Sequence, residues 1–297
     1  MAAILILISI ALLTMPDHYV EGEDYSPRSF SELYYRIQNV RDHHTVSIDA
    51  GVYLIDVETD GRYFDIGHPV NIVGNGSVII GIKQDIAQTD CYINFKSDNI
   101  SISNVRFEDV SIQVFSGNPD TVSGIAITDS EFHTSRTHMD FLNVINTDDV
   151  EISGCTFSST GSNNLLIQDS TNVKFVENSL DRIDLNCHGV DGIEIVDNHF
   201  TDCSVGLELE SVTNYQIESN TFLKCSTGIL SSDGTDHALE EENEFIGTED
   251  PVLSEDIPNG DVGHAQENRM PGMLFVGGFI LLVGLYLGFT LHKHRKA

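Results

Sequence analysis

A large apolar residue recurs along the middle of the chain at intervals of 20 to 25 residues, and this repeat constrains the fold more than any other feature. The seven anchor positions are Phe107, Phe132, Phe157, Leu180, Phe200, Phe222 and Phe245. Apolar residues also stand five positions before each of the first six anchors. A second set stands seven positions before the same anchors and runs from Ile100 to Tyr215. This alternation has the period of a β-strand. A unit this short cannot bury its apolar face alone, so the repeats are expected to stack into a solenoid.

Asparagine occurs two residues before each of the last four anchors. The four positions are Asn178, Asn198, Asn220 and Asn243. Coils of a parallel stack lie about 4.8 Å apart, so these amides are predicted to bond to one another and to the turn backbone. A second alternating strand follows the anchors, for example at Val205, Leu207 and Leu209 after Phe200. Each repeat therefore carries at least two strands.

These strands, turns and asparagines resemble the right-handed parallel β-helix of the pectin-lyase-like superfamily, which includes NosD-like proteins and carbohydrate-binding and sugar-hydrolysis repeats. The resemblance covers residues 29–247 and implies an all-β, right-handed parallel β-helix solenoid. Before it, an apolar helical stripe predicts an N-terminal capping helix. The stripe comprises Phe30, Leu33, Tyr34, Ile37 and Val40. Ser29 is expected to be the N-cap of this helix, with Glu32 completing a capping box.

Two apolar segments predict export and membrane attachment. Residues 1–15 are signal-peptide-like, and their cleavage or retention stays open. Residues 273–291 lack charge and precede a basic tail at 292–297, which is typical of a transmembrane helix with a cytoplasmic C-terminus. Residues 248–270 are expected to be an acidic linker. The predicted topology is a single-pass cell-membrane protein with an extracellular β-helix.

The charge of the chain excludes one class of partner. The 46 Asp and Glu residues outnumber the 15 Lys and Arg residues, giving a formal net charge of -31. Such a surface repels phosphates, so nucleic acid is not an expected partner. Self-repulsion of this size is best tolerated in salt, which favours a halophilic or marine source. An extracellular polysaccharide or glycan is the expected partner.

The resemblance also implies where the site lies. Polysaccharide-processing members carry it on the outer face of PB1, the strand that follows the asparagine turn and a short strand. The predicted outward rows are Gln113, Asn143, Leu166, Asp184, Glu208 and Leu230, and Phe115, Ile145, Gln168, Asn186, Glu210 and Ser232. Asp184 and Glu208 would then lie about 5 Å apart on adjacent coils, and Glu208 and Glu210 about 7 Å apart along one strand. These separations are near those of glycosidase carboxylates, so Asp184, Glu208 and Glu210 are the candidate catalytic residues.

Several functions stay open for this face. Acidic residues are so frequent that neighbouring carboxylates are expected by chance, which favours a glycan-binding or structural module. A polysaccharide hydrolase acting through the three carboxylates is the alternative. The same carboxylates with Asn186 could bind Ca²⁺ through oxygen ligands. A NosD-like copper role would need a cluster of His or sulfur ligands that the sequence lacks, so no cofactor is assigned.

Four smaller features complete the predictions. His133, His138 and Asp140 could ligate a metal, although a solvated loop is favoured. Cys203 and Cys225 each follow an anchor by three residues, so they are predicted to stack, either as a disulfide or as two reduced thiols. An outward charge ladder is predicted from Arg182, Asp202 and Lys224, each two residues after an anchor. Asn75 and Asn99 begin glycosylation sequons whose alternative is a plain turn asparagine.

Overall fold

The computed structural model describes residues 28–82, 90–115, 121–136, 140–232 and 237–254. In chain order the elements are β1 (Arg28–Ser29), α1 (Phe30–Asn39), β2 (His44–Ile55), α2 (Val57–Asp60), β3 (Tyr63–Ile66), β4 (Val70–Ile82), β5 (Tyr92–Phe95), β6 (Ile100–Ser103), β7 (Arg106–Glu108), β8 (Ser111–Phe115), β9 (Val122–Thr128) and β10 (Glu131–Thr134). They continue with β11 (Asp140–Ile145), β12 (Thr147–Ser153), β13 (Thr156–Gln168), β14 (Thr171–Val176), β15 (Ser179–His188), β16 (Asp191–Val196), β17 (His199–Thr201) and β18 (Val205–Glu210). The last are β19 (Gln216–Glu218), β20 (Thr221–Leu223), β21 (Thr227–Ser231), α3 (His237–Glu241), β22 (Glu244–Ile246) and β23 (Asp250–Ser254).

The strands form a parallel solenoid of about eight turns with three sheets, numbered here in the order in which the chain visits them. Sheet 1 contains β6, β9, β12, β14, β16 and β19. Sheet 2 contains the short strands β7, β10, β17, β20 and β22. Sheet 3 contains β3, β5, β8, β11, β18, β21 and β23. Four longer strands run through a corner: β2 and β4 belong to sheets 1 and 2, and β13 and β15 to sheets 2 and 3.

The predicted anchor column is confirmed, because all seven residues pair in register along sheet 2. The first six are at most 1% exposed, and Phe245 is partly buried at the end of the column. Neighbouring rings stack in parallel, with centroids 4.7 Å apart for Phe200 and Phe222. Stacking buries apolar side chains that a single coil would leave in contact with water. Burial of this apolar surface is the main favourable contribution to the stability of a solenoid.

Tyr215 departs from its predicted place at the end of the inner column of sheet 1. Its side chain is 38% exposed, whereas Ile193, one coil earlier, is buried. Strand β19 begins only at Gln216, and helix α3 replaces a sheet 1 strand in the next coil. Tyr215 is exposed because it lies before the start of β19, whereas Ile217 within that strand is buried.

The asparagine ladder is confirmed atom by atom. The Asn198 side-chain oxygen accepts from the Asn178 backbone N–H at 2.9 Å, and the Asn220 side-chain oxygen accepts from the Asn198 N–H at 3.0 Å. The Asn198 side-chain amide donates to the Phe175 carbonyl at 2.8 Å. Asn243 continues the series by accepting from the Asn220 N–H at 3.0 Å. Each side chain therefore satisfies backbone groups that the turn takes out of the strand pairing.

The two ends of the solenoid differ in part from the sequence expectation. Helix α1 buries Phe30, Leu33 and Ile37, but Ser29 makes no side-chain capping hydrogen bond, so the capping box is not formed. At the other end β23 pairs with β21 and extends the solenoid to Ser254, beyond the predicted boundary at 247. No helix within the described ranges is long and apolar enough to cross a membrane. Segments 1–15, 273–291 and 292–297 lie outside the described residues.

The predicted charge ladder occupies one turn position on three consecutive coils. Arg182, Asp202 and Lys224 are exposed and share a left-handed backbone, with φ of 57°, 53° and 55°. Arg182 forms its ion pair within its own coil, at 2.8 Å from Asp181. The stacking is therefore as predicted, but Arg182 has a nearer partner than Asp202.

Candidate functional site

The outer face of sheet 3 corresponds to the face predicted to carry the site. Its central row, read from strand pairing, is Asn94, Gln113, Asn143, Leu166, Asn186, Glu208 and Leu230. The next row is Phe115, Ile145, Gln168, His188 and Glu210. Inward neighbours such as Leu185 and Leu207 are fully buried, so the period of two holds along these strands.

The predicted row was wrong at one coil. Glu208 lies opposite Asn186, and Glu210 lies opposite His188. Asp184 instead lies opposite Asn164, one row away. The cause is the length of the turn: Leu185 follows its anchor by five residues, whereas Leu207, its partner, follows Phe200 by seven. The predicted row sets Ile183 opposite Leu207, whereas the structure pairs Leu185 with Leu207, so Asp184 lies two residues from its predicted place.

Asp184 still lies close enough to Glu208 for their charges to interact. Burial raises the pKa of Asp184 to about 6, although its carboxylate accepts backbone hydrogen bonds, including one from the Ser204 N–H at 3.0 Å. The charge of Glu208 contributes to the raised pKa. This environment keeps a proton on Asp184 at mildly acidic pH.

His188 joins the predicted group, on the same strand as Asp184. Its Nδ1 atom lies 3.9 Å from the Glu210 carboxylate, and its Nε2 atom is buried without a hydrogen-bond partner in the described structure. Glu210 is the most exposed of the three predicted carboxylates, and it is the last residue of β18. The structure thus groups an acid of raised pKa, a second carboxylate and a half-buried imidazole on two adjacent strands.

The residues considered as possible metal ligands do not form a metal-binding cluster among the described residues. Within the described residues, no group of three or more His, Cys, Asp or Glu side chains is placed to hold a metal ion. Among the residues considered for Ca²⁺, Asp184 lies one row away from the row that contains Glu208. His133 lies on β10 and contacts Ser158 Oγ at 3.0 Å, whereas Asp140 begins β11. His138 lies outside the described residues.

Two asparagines in the N-terminal half of this face form a feature that the sequence did not reveal. The side-chain amide of Asn94 donates to Asp65 at 2.7 Å, and that of Asn143 donates to Asp140 at 3.4 Å. These carboxylates hold the NH₂ groups, so the amide orientation follows from the network. Both side-chain carbonyl oxygens are buried and, within the described structure, have no hydrogen-bond partner. They lie two coils apart with Gln113 between them.

An aromatic pair lies at the start of the same face. Tyr63 and Tyr92 stand opposite each other on β3 and β5, with ring centroids 5.4 Å apart and nearly parallel planes. Tyr63 is 66% exposed. Burial raises the pKa of Asp140 above its ordinary value, and the nearby charge of Asp90 raises it further. The N-terminal half of the face therefore combines an open aromatic surface with oriented, desolvated acceptors.

A concavity lies elsewhere, on the outer face of sheet 1. It has a volume of about 920 Å³, and its floor includes Glu151, Lys174 and Glu194. Lys174 lies 3.9 Å from the Glu194 carboxylate. Its size would favour it as a site, but none of the buried, unpartnered side-chain atoms of the described residues belongs to its lining. Sheet 3 is the stronger candidate because its unsatisfied groups require an occupant.

Comparison with known proteins supports the fold. A family model described as "Right handed beta helix region" matches residues 140–253. The match agrees with the parallel coil stack that the strand pairing shows over the same residues. None of the curated proteins matches the chain.

Two solved structures align along much of the chain. PfbA, a surface adhesin of Streptococcus pneumoniae, aligns with a TM-score of 0.36 and 11% identity, over 79% of this chain and 92% of that chain. ORF18 of Geobacillus virus E2 aligns with a TM-score of 0.30 and 11% identity, over 76% of this chain and 58% of that chain.

Proposed function

We propose that the outer face of sheet 3 binds an extracellular glycan. The observation that carries this proposal is the pair of buried, unpartnered carbonyl oxygens on Asn94 and Asn143. A buried acceptor left unsatisfied costs about 1–3 kcal/mol, so each oxygen favours an occupant that donates a hydrogen bond. Sugar hydroxyls are such donors.

The spacing of the acceptors suits an extended ligand. Strands in register lie about 4.8 Å apart, so oxygens two coils apart call for donors separated by about 10 Å. A polysaccharide lying along the coil axis presents hydroxyls at regular intervals over this length. The exposed ring of Tyr63 offers an apolar platform beyond Asn94, on which the C–H face of a sugar can pack.

The proposal is tested with the full-length chain in detergent, titrated with soluble polysaccharides by calorimetry. Asn143→Ala removes one oriented acceptor and is expected to weaken binding about 5- to 10-fold, the equivalent of one hydrogen bond. Gln216→Ala, an exposed amide on sheet 1, is the matched control and should bind as wild type. Equal affinities for both variants and wild type would place the ligand away from this row.

The same proposal assigns the chain to the pectin-lyase-like superfamily and places the β-helix outside the cell. Helix α1 then closes the N-terminal end of the coil stack, and residues 273–291 anchor the chain in the cell membrane. The supporting features are the buried apolar stripe of α1 and the uncharged run followed by a basic tail.

A second candidate function is glycan hydrolysis at Asp184, Glu208 and Glu210. The observation that favours it is the raised pKa of Asp184 beside Glu208, because a hydrolase needs one carboxyl protonated and one ionised. Here Asp184 would be the general acid and Glu208 the base or nucleophile.

Reducing ends released from a polysaccharide panel measure this activity directly. Asp184→Asn and Glu208→Gln should each abolish release, while Asn143→Ala should lower it through weaker binding. Release that is unchanged in both carboxylate variants, or undetectable in wild type, would remove the hydrolase and leave the binding function standing.

A further inference from the structure

We infer that the glycan recognised by sheet 3 carries no carboxylate or sulfate groups. This inference rests on the proposed glycan-binding function and names the chemical class of its ligand. It follows from the charges that face the ligand and from the direction in which the amides point.

Carboxylates lie on four of the strands that form the outer face of sheet 3. They are Asp65, Asp140, Asp184, Glu208 and Glu210, distributed over strands β3, β11, β15 and β18. An anionic sugar laid along the coil axis would meet a carboxylate near each end and at the centre. Like charges at such distances repel, and the repulsion grows where water is excluded, as it is around Asp140 and Asp184.

The cations near this face are already held by acidic partners. Lys96 lies 2.6 Å from the Asp65 carboxylate. Arg136 lies between Asp90 at 3.8 Å and Asp109 at 3.9 Å, and its side chain is 19% exposed. An anionic ligand would therefore have to compete with a carboxylate for each of these cations.

The amides exclude anions for a separate reason. Asn94 and Asn143 use their NH₂ groups on Asp65 and Asp140, so the atoms left for a ligand are carbonyl oxygens. An oxygen of this kind accepts hydrogen bonds and cannot donate one to a carboxylate or sulfate. The face therefore selects hydroxyl-bearing, uncharged sugar units.

The test compares a neutral β-glucan, a neutral mannan, polygalacturonate and dextran sulfate on the full-length chain at about 0.05 M and about 0.5 M NaCl. The affinity for a neutral polysaccharide should differ by less than twofold between the two salt concentrations. Neither anionic polymer should bind at either one. Binding of an anionic polymer as tight as that of the neutral ligand overturns the inference but leaves glycan binding intact, whereas absence of all binding refutes both.

A gain-of-function variant sharpens the comparison. Gln113→Lys places a cation between the two asparagines. Among the described residues, the nearest carboxylate in the same row is that of Asp65, two coils away. This variant should bind polygalacturonate at low salt and lose that binding at high salt. Failure to gain such binding, in a variant that still binds the neutral ligand, would show that charge on this row does not set specificity.

A different observation carries a second proposal, a covalent cross-link between two coils. The five cysteines are buried and free, and the thiols of Cys203 and Cys225 lie close enough to each other to shift each other's pKa. Their coils are in register, since the Ser226 N–H donates to the Cys203 carbonyl at 3.1 Å. Stacked positions lie about 5 Å apart, inside the disulfide range. We propose that Cys203 and Cys225 form a disulfide when the chain folds in an oxidising exterior.

The reaction is exchange with a small disulfide such as oxidised glutathione. One cysteine thiolate attacks it and releases one glutathione thiolate, and the second cysteine thiolate then displaces the other. The two cysteine protons end on the two glutathione thiols, so the cysteines are oxidised and glutathione is reduced. Because both thiols are buried in the folded chain, exchange takes place before the coils close.

The full chain is refolded in oxidised and reduced glutathione, denatured without reductant, alkylated, digested and examined by mass spectrometry. The expected product is a peptide pair joined through Cys203 and Cys225, with Cys155 and Cys187 alkylated as internal controls. In Cys203→Ser, Cys225 should become alkylated. Quantitative alkylation of both cysteines in the oxidised wild-type sample would refute the cross-link.

Discussion

At the residue scale, Asn198 shows how one side chain can join three coils. It accepts from the Asn178 N–H and donates to both the Phe175 carbonyl and the Asn220 side chain, while being 2% exposed. Asn198→Ala is expected to lower the free energy of unfolding by about 2–4 kcal/mol, because it leaves buried backbone groups unpaired. Urea unfolding measures the loss. Asn243→Ala, at the less buried end of the ladder, is the control and should cost less.

The raised pKa of Asp184 predicts that stability falls as the pH rises, whereas a salt-bridged carboxylate would make stability rise with pH. The folded pKa of Asp184 is about 6, above the value of about 3.9 expected in the unfolded chain. The folded state therefore binds the proton more tightly, and stability is lost as pH rises from about 4 through about 6. Asp184→Asn keeps the acceptor for the Ser204 N–H but cannot ionise. It should be more stable than wild type at pH 8 and equal to it at pH 4 by urea unfolding; the same excess at both pH values would contradict the raised pKa.

The sequence predicted which residues lie on the outer face of sheet 3, but it did not predict how their side-chain amides are oriented. Gln113, Asn143, Glu208 and Glu210 were placed outward by the period of two alone, and the structure agrees. The buried, unpartnered carbonyl oxygens of Asn94 and Asn143 result from the carboxylates that hold the NH₂ groups, Asp65 at a sequence separation of 29 and Asp140 at a separation of 3. A single sequence contains no sign of which end of an amide such a partner will hold.

At the scale of elements, strand periodicity predicted the core, whereas turn length decided the register. The anchors were found correctly because every coil returns to sheet 2 at the same inward position. Asp184 was misplaced because the turn after Phe200 is two residues longer than the turn after Leu180, and the apolar Ile183 fits the strand pattern as well as Leu185 does. Pattern fixes which face a residue occupies, and the turns fix which neighbours it meets.

Phe200 tests the contribution of the anchor column. Its ring is fully buried between the coils of Leu180 and Phe222. Phe200→Ala should lower the free energy of unfolding by about 3–5 kcal/mol, because the packed neighbours close only part of the cavity. Phe245→Ala, at the partly buried end of the column, should lose less. A loss below about 1 kcal/mol for Phe200→Ala would mean that the column carries little of the stability.

The charged turn column makes a salt-dependent prediction. Asp202→Lys places a third cation between Arg182 and Lys224, at a left-handed position where both neighbours already carry long basic side chains. The loss of stability should be about 1 kcal/mol in dilute buffer and smaller in high salt, since exposed charges are screened. Thermal unfolding at two salt concentrations measures it. Equal shifts at both would show that the three side chains do not interact.

At the scale of the whole molecule, the distribution of charge matches the proposed topology. A chain with a net charge of -31 ends in a short tail that contains Lys293, Arg295 and Lys296. Basic residues after an uncharged run of this length are retained on the cytoplasmic side, whereas a large domain is translocated largely regardless of its charge. With this topology the outer face of sheet 3, which we propose to bind glycan, would lie outside the cell.

Protease added to intact cells that express the chain with a C-terminal tag tests this arrangement. The solenoid should be digested from outside, while the tag after Ala297 should be protected until the membrane is permeabilised. Replacing the three basic tail residues with glutamate is the matched variant, because removal of the positive charge weakens the signal that retains the tail and should make part of the tag accessible. A wild-type tag that is degraded on intact cells would reverse the orientation and place the sheet 3 face in the cytoplasm, away from extracellular glycan.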